Sequence, residues 1–208
     1  SAGTDRFKLD ANSRISLSNN DSGTDNTVFG HLAGGAGLSG GEDNVLIGDY
    51  TGYGLTAGDN NVAIGSSAFY RATTQADDNV VIGFNAMSGN FTTADVDNCV
   101  VIGSGAVAGT LTSGAAGTIA IGYQTLANLT SGQENLAIGT NAMDALTDAS
   151  NNIAIGISSL GNLNATGADR NIAIGSYAGD GMGTLGASID NIFIVTNTGG
   201  GTWTTAVS

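Results

Sequence analysis

Apolar and polar positions recur along this chain in one short phrase: an asparagine, three apolar residues and a glycine. It is clearest at Asn61-Val62-Ala63-Ile64-Gly65 and at Asn152-Ile153-Ala154-Ile155-Gly156. Counting weaker copies at either end, the last residue of the phrase stands at 30, 48, 65, 83, 103, 122, 139, 156, 175 and 195. The successive steps are 18, 17, 18, 20, 19, 17, 17, 19 and 20 residues. Such a period is too short for helical-hairpin repeats and suits one coil of a β-solenoid. Valine and isoleucine dominate the phrase, and Asn and Gly bound it, so each copy predicts a short β-strand. Length varies between phrases, as in residues 110–117 and 179–188. These stretches are rich in Gly, Ser, Thr and Asp and read as turns.

Side chains of a strand alternate between two faces. The first and third apolar positions (Val62 and Ile64, for example) share one face, and the middle one (Ala63) takes the other. Because the middle position is apolar too, in Leu46, Val81, Val101 and Phe193 as in the alanines, the strand has no wet face. We expect the first and third positions to fill the coil and the middle one to meet a neighbouring chain, most economically in a homotrimer about the long axis.

The asparagine heads eight of the ten copies: Asn26, Asn44, Asn61, Asn79, Asn135, Asn152, Asn171 and Asn191. Cys99 and Thr118 replace it elsewhere. In a parallel stack equivalent residues lie about 4.8 Å apart, so these amides are predicted to form a hydrogen-bonded structural ladder. Three residues past the glycine comes a small residue (Ala33, Thr51, Ala68, Ala86), expected at a tight corner. The larger apolar residue after it (Phe69, Met87, Val107, Leu126, Met143, Leu160) reads as core filling on a second strand.

Residues 1–24 lie outside the repeat and read as an N-terminal cap of two short strands. In them Phe7, Leu9 and Ala11, then Ile15 and Leu17, alternate with polar residues. Residues 25–195 form the solenoid, with a body roughly 45 to 50 Å long at about 4.8 Å per coil. Residues 196–208, with Gly199-Gly200-Gly201 and Trp203, form a C-terminal cap or linker.

Composition then narrows function. The formal net charge is −13, from 18 acidic and 5 basic residues. This argues against nucleic acid and anionic membranes as partners, and leaves room for cations. A single cysteine, Cys99, forbids an intrachain disulfide and reads as a small buried side chain. No apolar run approaches the length of a membrane span, and no signal peptide opens the chain. The start at Ser1 reads as that of a piece of something longer.

The phrases NVAIG and NIAIG, with a small residue three positions on, resemble the head repeats of trimeric autotransporter adhesins. The longer period here is similar to repeats in phage tail fibres and tail-fibre-like bacterial adhesins, as is the opening FKLDANSRISLSNNDSG. The resemblance covers residues 7–195. It implies an all-β, left-handed parallel β-roll of about ten coils, assembled as a homotrimeric extracellular fibre. On this basis the chain is expected on a virion tail or a bacterial cell surface, mediating attachment to a glycan or protein receptor without catalysis.

Ile64-Gly65-Ser66-Ser67-Ala68-Phe69 fits the hexapeptide of left-handed β-helix acyltransferases, but one hexapeptide per coil fits where three are needed. The histidine such enzymes use has one candidate, His31, at the least regular coil. A glycan-cleaving tailspike would need an acid pair, and no two of the many acids are singled out. Carboxylates precede the strands at Asp25, Glu42, Asp43, Asp59, Asp77, Asp78, Asp95, Asp97, Glu134, Asp169 and Asp190. A calcium stack is conceivable there, but the calcium-binding solenoid phrase is absent, and solvated turns explain the acids equally well. No regular threonine column of the ice-binding kind exists. No cofactor is expected. Tyr50, Tyr53, Phe84, Tyr123 and Tyr177 follow the phrase-ending glycine closely and are candidate glycan contacts. The alternative is that they pack across protomers or against the neighbouring coil.

Overall fold

The computed structural model describes residues 15–16, 23–35, 37–72, 76–91, 96–112, 115–183 and 188–198. Eleven short strands form a single sheet whose spatial order is the order of the chain. The first, β1 (Ile15–Ser16), runs antiparallel to β2 (Thr27–Phe29). Nine further strands follow: β3 (Val45–Ile47), β4 (Val62–Ile64), β5 (Val80–Ile82), β6 (Val100–Ile102), β7 (Ile119–Ile121), β8 (Leu136–Ile138), β9 (Ile153–Ile155), β10 (Ile172–Ile174) and β11 (Ile192–Ile194). From β2 onward all pairing is parallel and equivalent residues face each other, as in Val45 with Val62, Leu46 with Ala63 and Ile47 with Ile64. Each strand is returned to its neighbour by one coil, irregular in its described residues apart from a single helical turn, so the fold is a β-solenoid of about nine turns. Among the described residues the only helical segment is one 3-10 turn, Asp180–Met182.

Each phrase yields only three strand residues because the glycine behind it leaves the β region. Gly83 has φ 136°, and a Cβ there would stand 2.7 Å from the carbonyl carbon and oxygen of Gly103 in the next coil. Two further left-handed positions follow, two and four residues on. At the fourth stand Phe69, Met87, Val107, Leu126, Met143 and Leu160, with φ between 48° and 56°. All six are buried. They fill the core, but from a turn and not from a second strand as expected. The left-handed conformation costs about 1–2 kcal/mol. Burying a large apolar side chain returns about 1.5–3 kcal/mol, so burial can carry the strain.

The sequence-based assignment of the strand faces is reversed in the structure. Middle residues such as Leu46, Ala63, Val81, Val101 and Ala120 are fully buried inside the coil. The first and third residues point outward and are partly exposed. The physical reason is volume. In four of the five coils whose middle residue is alanine, the left-handed corner carries Phe69, Leu126, Met143 or Leu160; in the fifth, Ala173 is followed by Gly179. Where the middle residue is leucine, the corner is Gly52, whose Cβ would come within 2.9 Å of the Leu46 side chain. At Gly179 a Cβ would meet Leu160 of the preceding coil at 2.6 Å and Phe193 of the following coil at 3.0 Å. In most coils the interior at this level is filled chiefly from the strand or from the corner, and beside Ala173 and Gly179 it is filled by Leu160 and Phe193 of the coils on either side.

Candidate functional site

The predicted asparagine ladder is a structural column. Asn44 donates its backbone N–H and its Nδ2 to Asn26 Oδ1, both at 2.9 Å. Asn61 does the same to Asn44 Oδ1, and Asn79 to Asn61 Oδ1. Each Nδ2 also reaches a turn carbonyl of the following coil: Asn44 that of Gly58 at 2.7 Å, Asn79 that of Val96 at 2.7 Å. A second run links Asn135, Asn152, Asn171 and Asn191. All but the part-buried Asn191 are fully buried and partnered, so none offers a group to a ligand. Between the runs, Cys99 Sγ contacts the carbonyl of Ala115 at 3.1 Å, and Thr118 Oγ1 is buried without a partner. Burial pushes the Cys99 thiol up to about 11, helped by Asp97 and opposed by the N–H groups of Thr118 and Gly117.

The acids before the strands divide into two structural columns. Asp59, Asp77 and Asp97 each accept the backbone N–H of the preceding coil, from Glu42, Asp59 and Asp77 at 2.8 to 2.9 Å. Asp169 does so for Ser150 at 2.7 Å. Asp25, Asp43, Asp78, Glu134 and Asp190 instead occupy a left-handed position just before the ladder, with φ between 53° and 60°, which short polar side chains tolerate well. Asp95 lies outside the described residues. Among the described residues no three acids, histidines or cysteines converge as metal ligands would. His31 is exposed at the corner of its coil. Its Nδ1 meets Asp49 Oδ1 at 2.9 Å, and its ring stands edge-on to Tyr50.

The predicted aromatic contacts share one edge of the solenoid. All five tyrosines of the chain lie one, two or five residues past a phrase-ending glycine. Tyr50 and Tyr53 pack with each other and with Tyr70, at ring-centre distances of 5.4 to 5.9 Å, and the Arg71 guanidinium lies 5.5 Å from the Tyr70 ring centre. These rings therefore engage neighbouring coils. Phe84, Tyr123 and Tyr177 remain exposed, at 58%, 53% and 47%. Phe84 and Tyr123 flank a trough of about 310 Å³ that Ser104, Gly105, Asn85 and Gln124 also line. Tyr70, Asn85 and Gln124 were missed from the sequence. Counting positions from each glycine would have found them, since a solenoid places equal offsets on one edge.

The other continuous surface is the outward sheet face. Its two columns run Val45, Val62, Val80, Val100, Ile119 and Ile47, Ile64, Ile82, Ile102, Ile121, and continue to the exposed Ile192 and Ile194 of the last strand. Among the described residues no helix is long and apolar enough to cross a membrane.

The fold and these surfaces define a parallel β-solenoid with one bare apolar sheet and one aromatic edge. Comparison with protein-family models, with curated proteins and with solved structures finds no match for the chain.

Proposed function

We propose that the chain is a structural and adhesive segment of an extracellular fibre, in which three copies with left-handed coils pack about a common axis. In this reading it belongs to a phage tail fibre, or to a tail-fibre-like or autotransporter-type adhesin of a bacterial surface. It attaches to a cell-surface receptor and catalyses no reaction. The observation that carries the reading is the outward sheet face. A strand of three residues is about 10 Å wide and nine coil steps are roughly 43 Å tall. That makes an apolar stripe of about 400 Å² even before side-chain relief, within the roughly 300–600 Å² of the largest apolar patch on a typical monomer, a patch that is often functional. Parallel alignment about a long axis lets the same Val and Ile columns of each copy cover one another. The net charge of −13 keeps such a fibre soluble and disfavours polyanionic partners.

Sedimentation equilibrium tests the assembly, with a trimer mass expected for the wild type. Ile82→Glu and Ile102→Glu on the outward face are expected to release monomers that retain β-sheet circular dichroism. A monomeric wild type with intact β-structure would sink the reading. Attachment is tested by flow cytometry of bacteria exposed to the fluorescently labelled chain.

A further inference from the structure

We propose that the trough between Phe84 and Tyr123 binds one uncharged hexopyranose ring of a surface glycan. The inference deepens the attachment reading and rests on it only for the source of the sugar.

Residues immediately after the phrase-ending glycine form a column along the edge. From the third repeat coil onward it alternates: Ser66, Phe84, Ser104, Tyr123, Thr140, Ile157, Ser176. The large members are half exposed, Ile157 at 50% like its two aromatic counterparts. Side chains meant to bury one another would occupy adjacent coils, as Tyr50 and Tyr70 do nearby. Alternation instead sets Phe84 and Tyr123 two coils apart, about 9.6 Å, with a hydroxyl and a glycine as the floor. A sugar ring stacked against an aromatic wall on each side needs two contacts of about 4 Å each, which this gap accommodates. The volume of about 310 Å³ lies at the lower end of the roughly 300–1,000 Å³ of ligand pockets, the scale of a single ring.

The chemistry of the lining selects the ligand class. The apolar ring faces of a pyranose match the aromatic walls. Its hydroxyls match the Asn85 and Gln124 amides, which offer both donors and acceptors. No lysine or arginine lines the trough, and the chain is strongly acidic, so phosphorylated and carboxylated sugars are disfavoured. None of the lining residues belongs to a strand, so none is among the valine and isoleucine columns of the outward sheet face.

The test uses the full chain with 3-fluorotyrosine at its tyrosines, the Tyr123 fluorine signal being assigned with Tyr123→Phe. Methyl glycosides of glucose, galactose, mannose and N-acetylglucosamine are titrated separately. At least one is expected to shift the Tyr123 signal saturably while leaving Tyr70 in place. Phe84→Ala is expected to weaken that binding at least about tenfold, and Ser104→Leu, which fills the floor, to abolish it. Ser176→Leu, in the same column outside the trough, is expected to bind as wild type. No shift with any glycoside, or a shift that survives Ser104→Leu, overturns the proposal. So does a change of sedimenting mass in Phe84→Ala, which would assign the wall to contacts between copies. Cell attachment without any glycoside shift removes the trough and leaves the attachment reading. A glycoside shift without cell attachment does the reverse.

Discussion

Asn79 Oδ1 accepts the backbone N–H of Cys99 at 2.9 Å, and there the amide ladder stops. Cys99 keeps only weak thiol contacts to the Ala115 and Asp97 carbonyls, and Thr118 above it leaves its hydroxyl buried and unpartnered. Two coils of the column thus lack the amide that joins the others. Replacing both residues, in Cys99→Asn with Thr118→Asn, is expected to raise stability by about 1–3 kcal/mol, since each restored hydrogen bond contributes about 1 kcal/mol. Urea unfolding reads the change. A double variant no more stable than wild type would show that the gap costs nothing.

The converse substitution strips an intact rung. Asn61 donates to Asn44 Oδ1 at 3.0 Å and to the Ala76 carbonyl at 2.6 Å, and accepts from Asn79. Asn61→Ala leaves buried donors and acceptors unpaired on both sides. A loss of about 2–4 kcal/mol is expected in the same urea assay, from about 1–3 kcal/mol for each stranded group.

The inverse sizes of strand and corner residues make a coupled prediction. Gly52→Leu alone should overpack the coil against Leu46 and destabilise by about 1–3 kcal/mol. Leu46→Ala alone should leave a cavity and cost about 2–5 kcal/mol. Together they reproduce the arrangement of Ala120 with Leu126, whose φ is 51°, so the double variant should recover most of the sum. Strict additivity in the thermodynamic cycle would count against a shared interior volume.

Two groups connect the fold to pH. The Cys99 thiol, pushed up to about 11, holds almost no thiolate at pH 8, whereas an unfolded cysteine titrates near about 8.5. Iodoacetamide at pH 8 should therefore label native protein at least about a hundredfold more slowly than unfolded protein. Mass spectrometry of a time course measures this directly, and equal rates would contradict the burial of the thiol.

Asp144 provides the second. Desolvation, with Asp180 nearby, holds its carboxyl above the usual 3.8, against the pull of the N–H groups of Asp144 and Ala145. A raised folded value means that the ionised form opposes folding at neutral pH. That penalty disappears once pH falls below the unfolded value. Asp144→Asn, which keeps the carbonyl acceptor, should raise the melting temperature at pH 7 and give no gain below about pH 4. A gain independent of pH would assign the effect to packing.

Much of the architecture was legible because a solenoid converts a linear period into a stack. The recurrence of Asn at one offset announced a buried column, and the structure gives most of its amides partners above and below. The acids were harder to read. Asp59 and Asp78 look alike in the sequence, yet the first accepts the Glu42 N–H from the preceding coil and the second occupies a left-handed turn. Their offsets from the ladder position separate them, but only the coil geometry gives those offsets meaning. The aromatic edge lay between: Phe84 and Tyr123 were recognisable candidates, while the trough they flank depends on Ser104 and Gly105 one coil away from each.

By itself the sequence determined the repeat, the strand at each phrase, the parallel stacking and the positions of the ladder, because each follows from local propensity and a period. It could not decide which face of the strand turns inward. Alternation separates two faces without naming either, and here both are apolar. The tertiary structure decided it through volume. The left-handed corners swing Phe69, Leu126, Met143 and Leu160 into the coil, and only the small middle residues opposite leave room for them. The valine and isoleucine columns are thereby turned outward, where they stay partly exposed.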